Sequence, residues 1–222
     1  ARHEQPPMIL YHCLSARSFR PLWTLEEMGL AYELKVLPFP PRAFAKEYFD
    51  VNVLGTVPFL IDGDTRMTES AAICEYLAVR HGPSPLAVAP AEADYGLWLN
   101  WLHHSDATLT FPQALVLRYS RFEPPERRQP QVAEDYAKWF LGRLRMLDAH
   151  LLTHDWLAGG RFTVADIAVG YALMLAEVIG LSKEFSPQTA AYWARLKARD
   201  GYRRALAVQD EVAVQQGVKP IF

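Results

Sequence analysis

Cysteine is scarce in this chain. Among 222 residues there are two, Cys13 and Cys74, far apart and outside any CxxC or Cys/His spacing. That excludes a disulfide scaffold and gives no motif for a structural metal, so a reducing compartment is expected. Charge of one sign is also missing: the net charge is −2, without the basic surplus of a nucleic-acid binder. No apolar run is long enough for a signal peptide or a membrane span, and ARHEQPP at the start reads as a loose terminus. Neither a nucleic-acid partner nor a membrane is expected, and the location read from these features is cytoplasmic.

What is present is apolar residue in quantity, 50% of the chain, enough for a sizeable core without cross-links. Its pattern changes along the sequence. Met8–His12 has the length of a buried strand, and Arg17–Leu30 carries Phe19, Leu22, Trp23 and Met28 at helical spacing. Tyr32–Leu37 alternates, then stops at the proline cluster Pro38-Phe39-Pro40-Pro41. Ala43–Phe49 reads as a short helix. Val57–Ile61, the turn Asp62-Gly63-Asp64 and Thr65–Met67 read as a hairpin, and Ser70–Arg80 as a helix. The order βαβαββα implies a mixed sheet covered by helices.

Proline and glycine then concentrate at His81–Pro90, and the strand pattern never returns. We therefore expect a first domain at 1–82, a linker at 83–90 and an all-helical domain at 91–222. Helices are expected at about Glu92–Arg118, Gln131–Thr153, Val164–Ile179 and Gln188–Arg199, with a short one after Tyr202. The first carries the stripe Leu97, Trp98, Trp101, Leu102, Ser105 and Leu109. Thr163 and Asp166 have capping-box spacing, with Phe162 and Ile167 placed as its hydrophobic staple.

Three short segments carry chemistry. Thr56-Val57-Pro58-Phe59-Leu60 places a proline at the head of a strand, where it belongs on an edge. A cis Val57–Pro58 bond would turn the Val57 backbone outward to pair with an extended peptide, although X–Pro bonds are trans in all but about 5–6% of cases. Thr68-Glu69-Ser70 offers hydroxyls and a helix start for a carboxylate, and Glu69 for an ammonium group; ordinary capping by Thr68 or Ser70 is the plainer reading. The loop His12–Ser18 holds the thiol of Cys13 and the hydroxyls of Ser15 and Ser18 at a helix start. A bound thiolate would be favoured there. By itself, Ser15 or Ser18 reads as an N-cap and Cys13 as a core residue.

In combination these segments resemble the soluble glutathione transferase family across nearly the whole chain. The matching residues are LYHCLSARSFRPLWTLEE at 10–26, NVLGTVPFL at 52–60, MTESAAICEYL at 67–77 and GRFTVADI at 160–167. The resemblance is to bacterial, serine-type members. It implies a thioredoxin-like first domain with a cis Pro58, and an all-helical second domain that lines the electrophile pocket. It implies glutathione as co-substrate, no tightly bound cofactor, a small hydrophobic electrophile and a homodimer. Val57 would pair with the cysteinyl backbone of glutathione, while Glu69 and Ser70 would hold its γ-glutamyl head. Ser15, five residues before Arg20, matches the catalytic serine, though Ala16 stands where many relatives have a second serine. The activator is thus Ser15, Cys13, Ser18 or a backbone N–H near Ala16 and Arg17. Thr56 replaces the usual Lys or Gln near the glycine carboxylate, so Arg42 is a candidate cation there, with Lys46 a surface charge. Asp106 is a candidate contact to the glutamyl amine from a neighbouring subunit. Leu14, Phe111, Leu115 and Tyr119 are candidates for the electrophile pocket, or core.

His103, His104 and Asp106 do not read as a metal site, because adjacent helical residues point about 100° apart. The same fold also carries glutathione-dependent isomerases, dehalogenases, reductases and peroxidases, which sequence does not separate, and non-catalytic binding proteins, which often lose the glutamyl-binding acid or the cis-proline site, whereas Glu69 and Pro58 are both present here.

Overall fold

A computed structural model describes residues 7–221; the expectation of a loose terminus falls almost wholly on residues outside this range. The chain divides into two compact units: one through Ser84, joined by the segment from Ala198 onward, and one spanning Pro85–Lys197. The C-terminal segment is therefore not part of the helical unit, in contrast to the expected 91–222.

The first unit holds strands β1 (Met8–His12), β2 (Tyr32–Val36), β3 (Phe59–Asp62) and β4 (Thr65–Met67). They form one sheet in the order β2-β1-β3-β4, with β1 parallel to β2 and antiparallel to β3. Helices α1 (Phe19–Met28), α2 (Pro41–Phe44) and α3 (Ser70–Arg80) complete the expected order βαβαββα. β1 and α1 place Leu10, Phe19, Leu22, Trp23 and Leu25 in the core with no exposed surface. The last helix of the chain also belongs here. It runs Asp200–Gln215, far longer than the short helix expected after Tyr202, and is α9 in chain order.

It is pinned at both ends. At its start Arg199 makes paired hydrogen bonds of 2.8 and 3.0 Å to the Glu27 carboxylate, which also accepts from Trp23 Nε1 at 3.1 Å. Gly201 permits this approach: a Cβ there would lie 2.6 Å from Glu27 Oε1. Just past its end, the Gln216 amide accepts from Val36 N–H and donates to Leu34 C=O, occupying the open edge of β2.

The second unit is helical: α4 (Tyr95–His104), α5 (Phe111–Leu117), α6 (Pro130–Leu151), α7 (Val164–Val178) and α8 (Pro187–Lys197). The single helix expected at Glu92–Arg118 is interrupted. Pro112 has no N–H to give and its ring crowds the carbonyl four residues back, so α-helical bonding cannot run through it. The chain answers with a π-helical turn at Ser105–Thr110, in which Phe111 N–H donates to Asp106 C=O. Ser105 and Thr110 hydroxyls donate to the Leu102 and Ser105 carbonyls. A second π turn follows at Arg118–Phe122. α7 is buried along almost its whole length, and the Thr163–Asp166 capping box is formed at its start.

Candidate active site

Strand register brings the three chemistry-bearing segments to one end of the sheet. Tyr11 pairs with Phe59 and Leu60 with Met67. The loop after His12, the segment before Phe59 and the segment after Met67 therefore leave the sheet on the same side.

In the first segment, Cys13 and Ser18 are fully buried and Ser15 is half-buried. Burial pushes the Cys13 thiol up to about 12, which keeps it protonated at neutral pH. Ser18 does not cap α1: it occupies the cap position in helical conformation without a side-chain cap bond. Its hydroxyl faces inward instead. It lies 2.6 Å from His12 Nδ1 and accepts from Cys13 N–H at 3.2 Å. His12 Nε2 lies 2.9 Å from Gln209 Oε1 on α9, and that oxygen also receives Ser15 N–H at 3.4 Å.

The proton positions follow by elimination. Ser15 N–H can only donate, so the Gln209 atom facing it is the oxygen. His12 Nε2 therefore carries the imidazole proton, Nδ1 accepts, and the Ser18 hydroxyl donates to it. Burial lowers the His12 pKa to about 4 against the opposing pull of its two hydrogen bonds, so the ring is neutral. This commits the Ser18 proton inward. Ala16 N–H donates to Cys13 C=O. Ser15 itself stands at φ +57, the one positive-φ residue other than glycine among those described.

In the second segment the Val57–Pro58 peptide is cis. Thr56 C=O receives Tyr48 O–H at 2.8 Å and Asn52 Nδ2 at 2.9 Å, and the same amide reaches Thr56 Oγ1 at 3.3 Å. Asn52 also turns the preceding loop, accepting Leu54 N–H through its side chain and Gly55 N–H through its carbonyl. Gly55 stands at φ +60, and a Cβ there would meet the Phe49 ring at 2.8 Å. Val57 packs beside the cluster of Tyr11, Ala45, Tyr48 and Phe59. Arg42, on α2, is exposed.

In the third segment Glu69 is exposed and extended at the start of α3, where no side chain caps the helix. Thr68 donates to Glu69 Oε1 at 3.2 Å. Ser70 is buried and accepts from Arg20 Nη1 at 3.2 Å. Because its oxygen accepts, the Ser70 proton is left to donate. The fully buried Arg20 guanidinium thus stands behind a helix start and a hydroxyl, a setting for an anion, with an exposed carboxylate alongside for a cation.

Leu14 is buried in the first unit. Asp106, Phe111, Leu115 and Tyr119 belong to the second. Asp106 is half-buried within the first π turn, and the Phe111 ring, 49% exposed, meets Tyr136 edge-on at 6.4 Å. Leu115 is half-buried, and Tyr119, in the second π turn, lies under the Arg118 guanidinium at 5.5 Å. Sequence reading missed Gln209, Tyr48, Asn52 and the Arg20–Ser70 pair. Only Arg20 left a signal, as a cation inside the apolar face Phe19–Trp23.

Comparison with known proteins gives the family and the fold. Residues 14–80 match the family model "Glutathione S-transferase, N-terminal domain" and residues 130–207 match "Glutathione S-transferase, C-terminal domain". A maize relative, Glutathione S-transferase 4, is 30% identical over 81% of this chain and 82% of its own length. A solved glutathione transferase from Methylococcus capsulatus is 27% identical, with TM-score 0.77 over 91% of this chain and 98% of that one. The glutathione transferase URE2P8 of Phanerochaete chrysosporium, solved with oxidized glutathione, shares the fold at TM-score 0.82 and 23% identity, over 96% and 99% of the two chains. The chain belongs to the glutathione S-transferase family of enzymes, with a thioredoxin-like first unit and a helical second one.

Proposed function

We propose that this enzyme binds glutathione along the sheet end described above and uses the Ser15 hydroxyl to hold its sulfur as a thiolate for attack on a hydrophobic electrophile. The observation that carries this reading is the backbone of Ser15. A left-handed φ costs a non-glycine residue roughly 1–2 kcal/mol, and glycine adopts it freely. A side chain kept at such a position indicates use of its hydroxyl. Three of the competing groups are otherwise engaged: the Cys13 thiol stays protonated, the Ser18 proton goes to His12, and the Ala16 N–H goes to Cys13 C=O.

The energetics fit one hydroxyl. A free thiol of pKa ~8.5 is only about 3% ionised at pH 7, and lowering it to ~6.5 makes it mostly thiolate. That shift corresponds to ~2.7 kcal/mol, within the ~1.5–3 kcal/mol of a hydrogen bond to a charged group, with the dipole of α1 adding to it. No general base is required.

Val57, beside Pro58, offers its backbone to the cysteinyl part. Ser70 and the N–H groups opening α3 receive the γ-glutamyl carboxylate, and Glu69 receives the ammonium. Thr56 and Arg42 face the glycine end. Phe111, Leu115 and Tyr119 are the residues of the helical unit proposed to select the electrophile, and Leu14 is the apolar candidate beside Ser15 in sequence. The resemblance to the family extends the proposal to a serine-type, cytoplasmic homodimer in which Asp106 reaches the glutamyl amine of the neighbouring subunit, and to a role in detoxification.

The test is conjugation of glutathione to a panel of aryl halides, alkyl halides and epoxides by wild type and Ser15→Gly. Wild type turns over at least one class, and the variant loses at least tenfold at pH 6.5 and recovers most of the loss at pH 9. Equal rates at pH 6.5 would remove Ser15 from the role.

A further inference from the structure

The left-handed pose of Ser15 is tied to the far end of the chain. Its N–H finds an acceptor 194 residues later, on Gln209 Oε1. That oxygen is fixed in turn. Gln209 is 4% exposed, and its oxygen also takes the His12 Nε2 proton. The imidazole is oriented from its other side by Ser18, whose oxygen is held by Cys13 N–H. The backbone of α9 is set independently, by Glu27 at its start and by the edge of β2 at Gln216. Donors and acceptors form one chain that converges on a shared acceptor: Cys13 N–H to Ser18, Ser18 O–H to His12 Nδ1, His12 Nε2–H to Gln209, and Ser15 N–H to the same Gln209 oxygen.

A neutral amide oxygen suits this position. It accepts two protons without placing a charge in a fully buried pocket, and without drawing a proton onto His12. Methionine, of similar shape, would withdraw the acceptor from both His12 Nε2–H and Ser15 N–H.

From this arrangement we infer that Gln209 is a positioning residue for sulfur activation: its oxygen holds the Ser15 peptide where the hydroxyl meets the glutathione sulfur. The inference rests on Ser15 being the activator. Gln209 touches neither substrate nor reacting atom and works through Ser15 alone, so its effect on the sulfur disappears when the hydroxyl does.

The experiment is a double-mutant cycle on the full chain: wild type, Gln209→Met, Ser15→Gly and the double variant. The readout is the pKa of bound glutathione, titrated by the ultraviolet absorbance of its thiolate, with circular dichroism and thermal melting to verify the fold. Gln209→Met is expected to raise the thiol pKa by about one unit, a loss of thiolate approaching tenfold at acidic pH. In the Ser15→Gly background it is expected to raise it no further. A purely structural role would lower the melting temperature and leave the thiol pKa where it was, which overturns the inference. A rise of the same size in both backgrounds overturns it too, since the effect would then not pass through Ser15. Where Gln209→Met fails to fold, Gln209→Asn, which withdraws the oxygen by one methylene, takes its place in the cycle, and the same titration results support or overturn the inference. A wild-type thiol pKa in Ser15→Gly alone overturns the reading of Ser15, and this inference with it. The two failures are thereby told apart.

Discussion

In each unit a cluster of buried polar groups gathers around one acceptor, and these two clusters are built on opposite lines. In the helical unit the acceptor is charged. The Asp166 carboxylate receives Thr163 N–H at 2.9 Å, Leu157 N–H at 3.2 Å and Tyr192 O–H at 2.6 Å. In the first unit the acceptor is the neutral Gln209 amide, linked to a neutral imidazole and two hydrogen-bonded loop residues. The charged cluster surrounds its acceptor with donors from its own helix start, the loop before it and one neighbouring helix, and its work is to hold α7 in place. The neutral cluster instead reaches the strained residue Ser15 through its N–H. A buried polar group that serves the fold and one that serves chemistry differ in where their hydrogen bonds end.

Removing the charged acceptor is expected to be the most damaging change. Asp166→Ala strands three buried donors at about 1–3 kcal/mol each, so chemical denaturation should show a loss of at least about 3 kcal/mol. That exceeds the ~1 kcal/mol of an ordinary cap. A loss near ~1 kcal/mol would erase the contrast between the clusters. Conjugation rates per folded molecule should hold.

The neutral cluster should instead betray itself through pH. His12 has its folded pKa lowered to about 4 by burial, against 6.5 when unfolded. Between these values the unfolded chain holds a proton that the folded chain lacks, so stability falls as pH drops through that window and is unaffected by this group above it. The expected slope is about 1.4 kcal/mol per pH unit. His12→Asn should lower stability at pH 7 and flatten the acid slope. An unchanged slope would mean that His12 is not the neutral, buried ring described.

The anchoring of α9 can be loosened without touching either cluster. Gly201→Ala drives a methyl group into Glu27 and should cost about 1–3 kcal/mol, partly reversed when Glu27 is also shortened to Asp.

The smallest effect is expected at the half-buried Asp62. Burial raises its pKa, but hydrogen bonds from Tyr76 and His81, with the nearby positive charges of His81 and Arg80, win and leave it lowered. A lowered folded pKa contributes stability above the unfolded value near ~4, lost as pH falls through the folded value. Asp62→Asn should remove only that acid-side portion of the unfolding curve.

The charged cluster was legible because half of it is contiguous: Thr163 and Asp166 sit three apart before an apolar helix. Its third donor, Tyr192, was not. The sheet and its helices were legible because apolar period and proline placement act locally. The interruption of the long helix was written in Pro112, which no α-helix passes without yielding hydrogen bonds, yet apolar spacing on both sides hid it. The three site segments were legible one by one, and register then brought them together. The network around Ser15 was not, since Gln209 lies 197 residues from His12 and is one polar residue in a long amphipathic helix. The same distance hid the membership of α9 in the first unit: local periodicity gives a helix but not the partner it packs on.

The most direct test of the account is the ultraviolet titration of glutathione bound to wild type and to Ser15→Gly, a substitution that accepts the left-handed backbone and removes the CH2OH side chain. The account predicts a wild-type thiol pKa near ~6.5 and a rise of about two units in the variant, equivalent to ~2.7 kcal/mol, with the fold no less stable than before by more than about 1 kcal/mol. Coincident titration curves for the two proteins would contradict it.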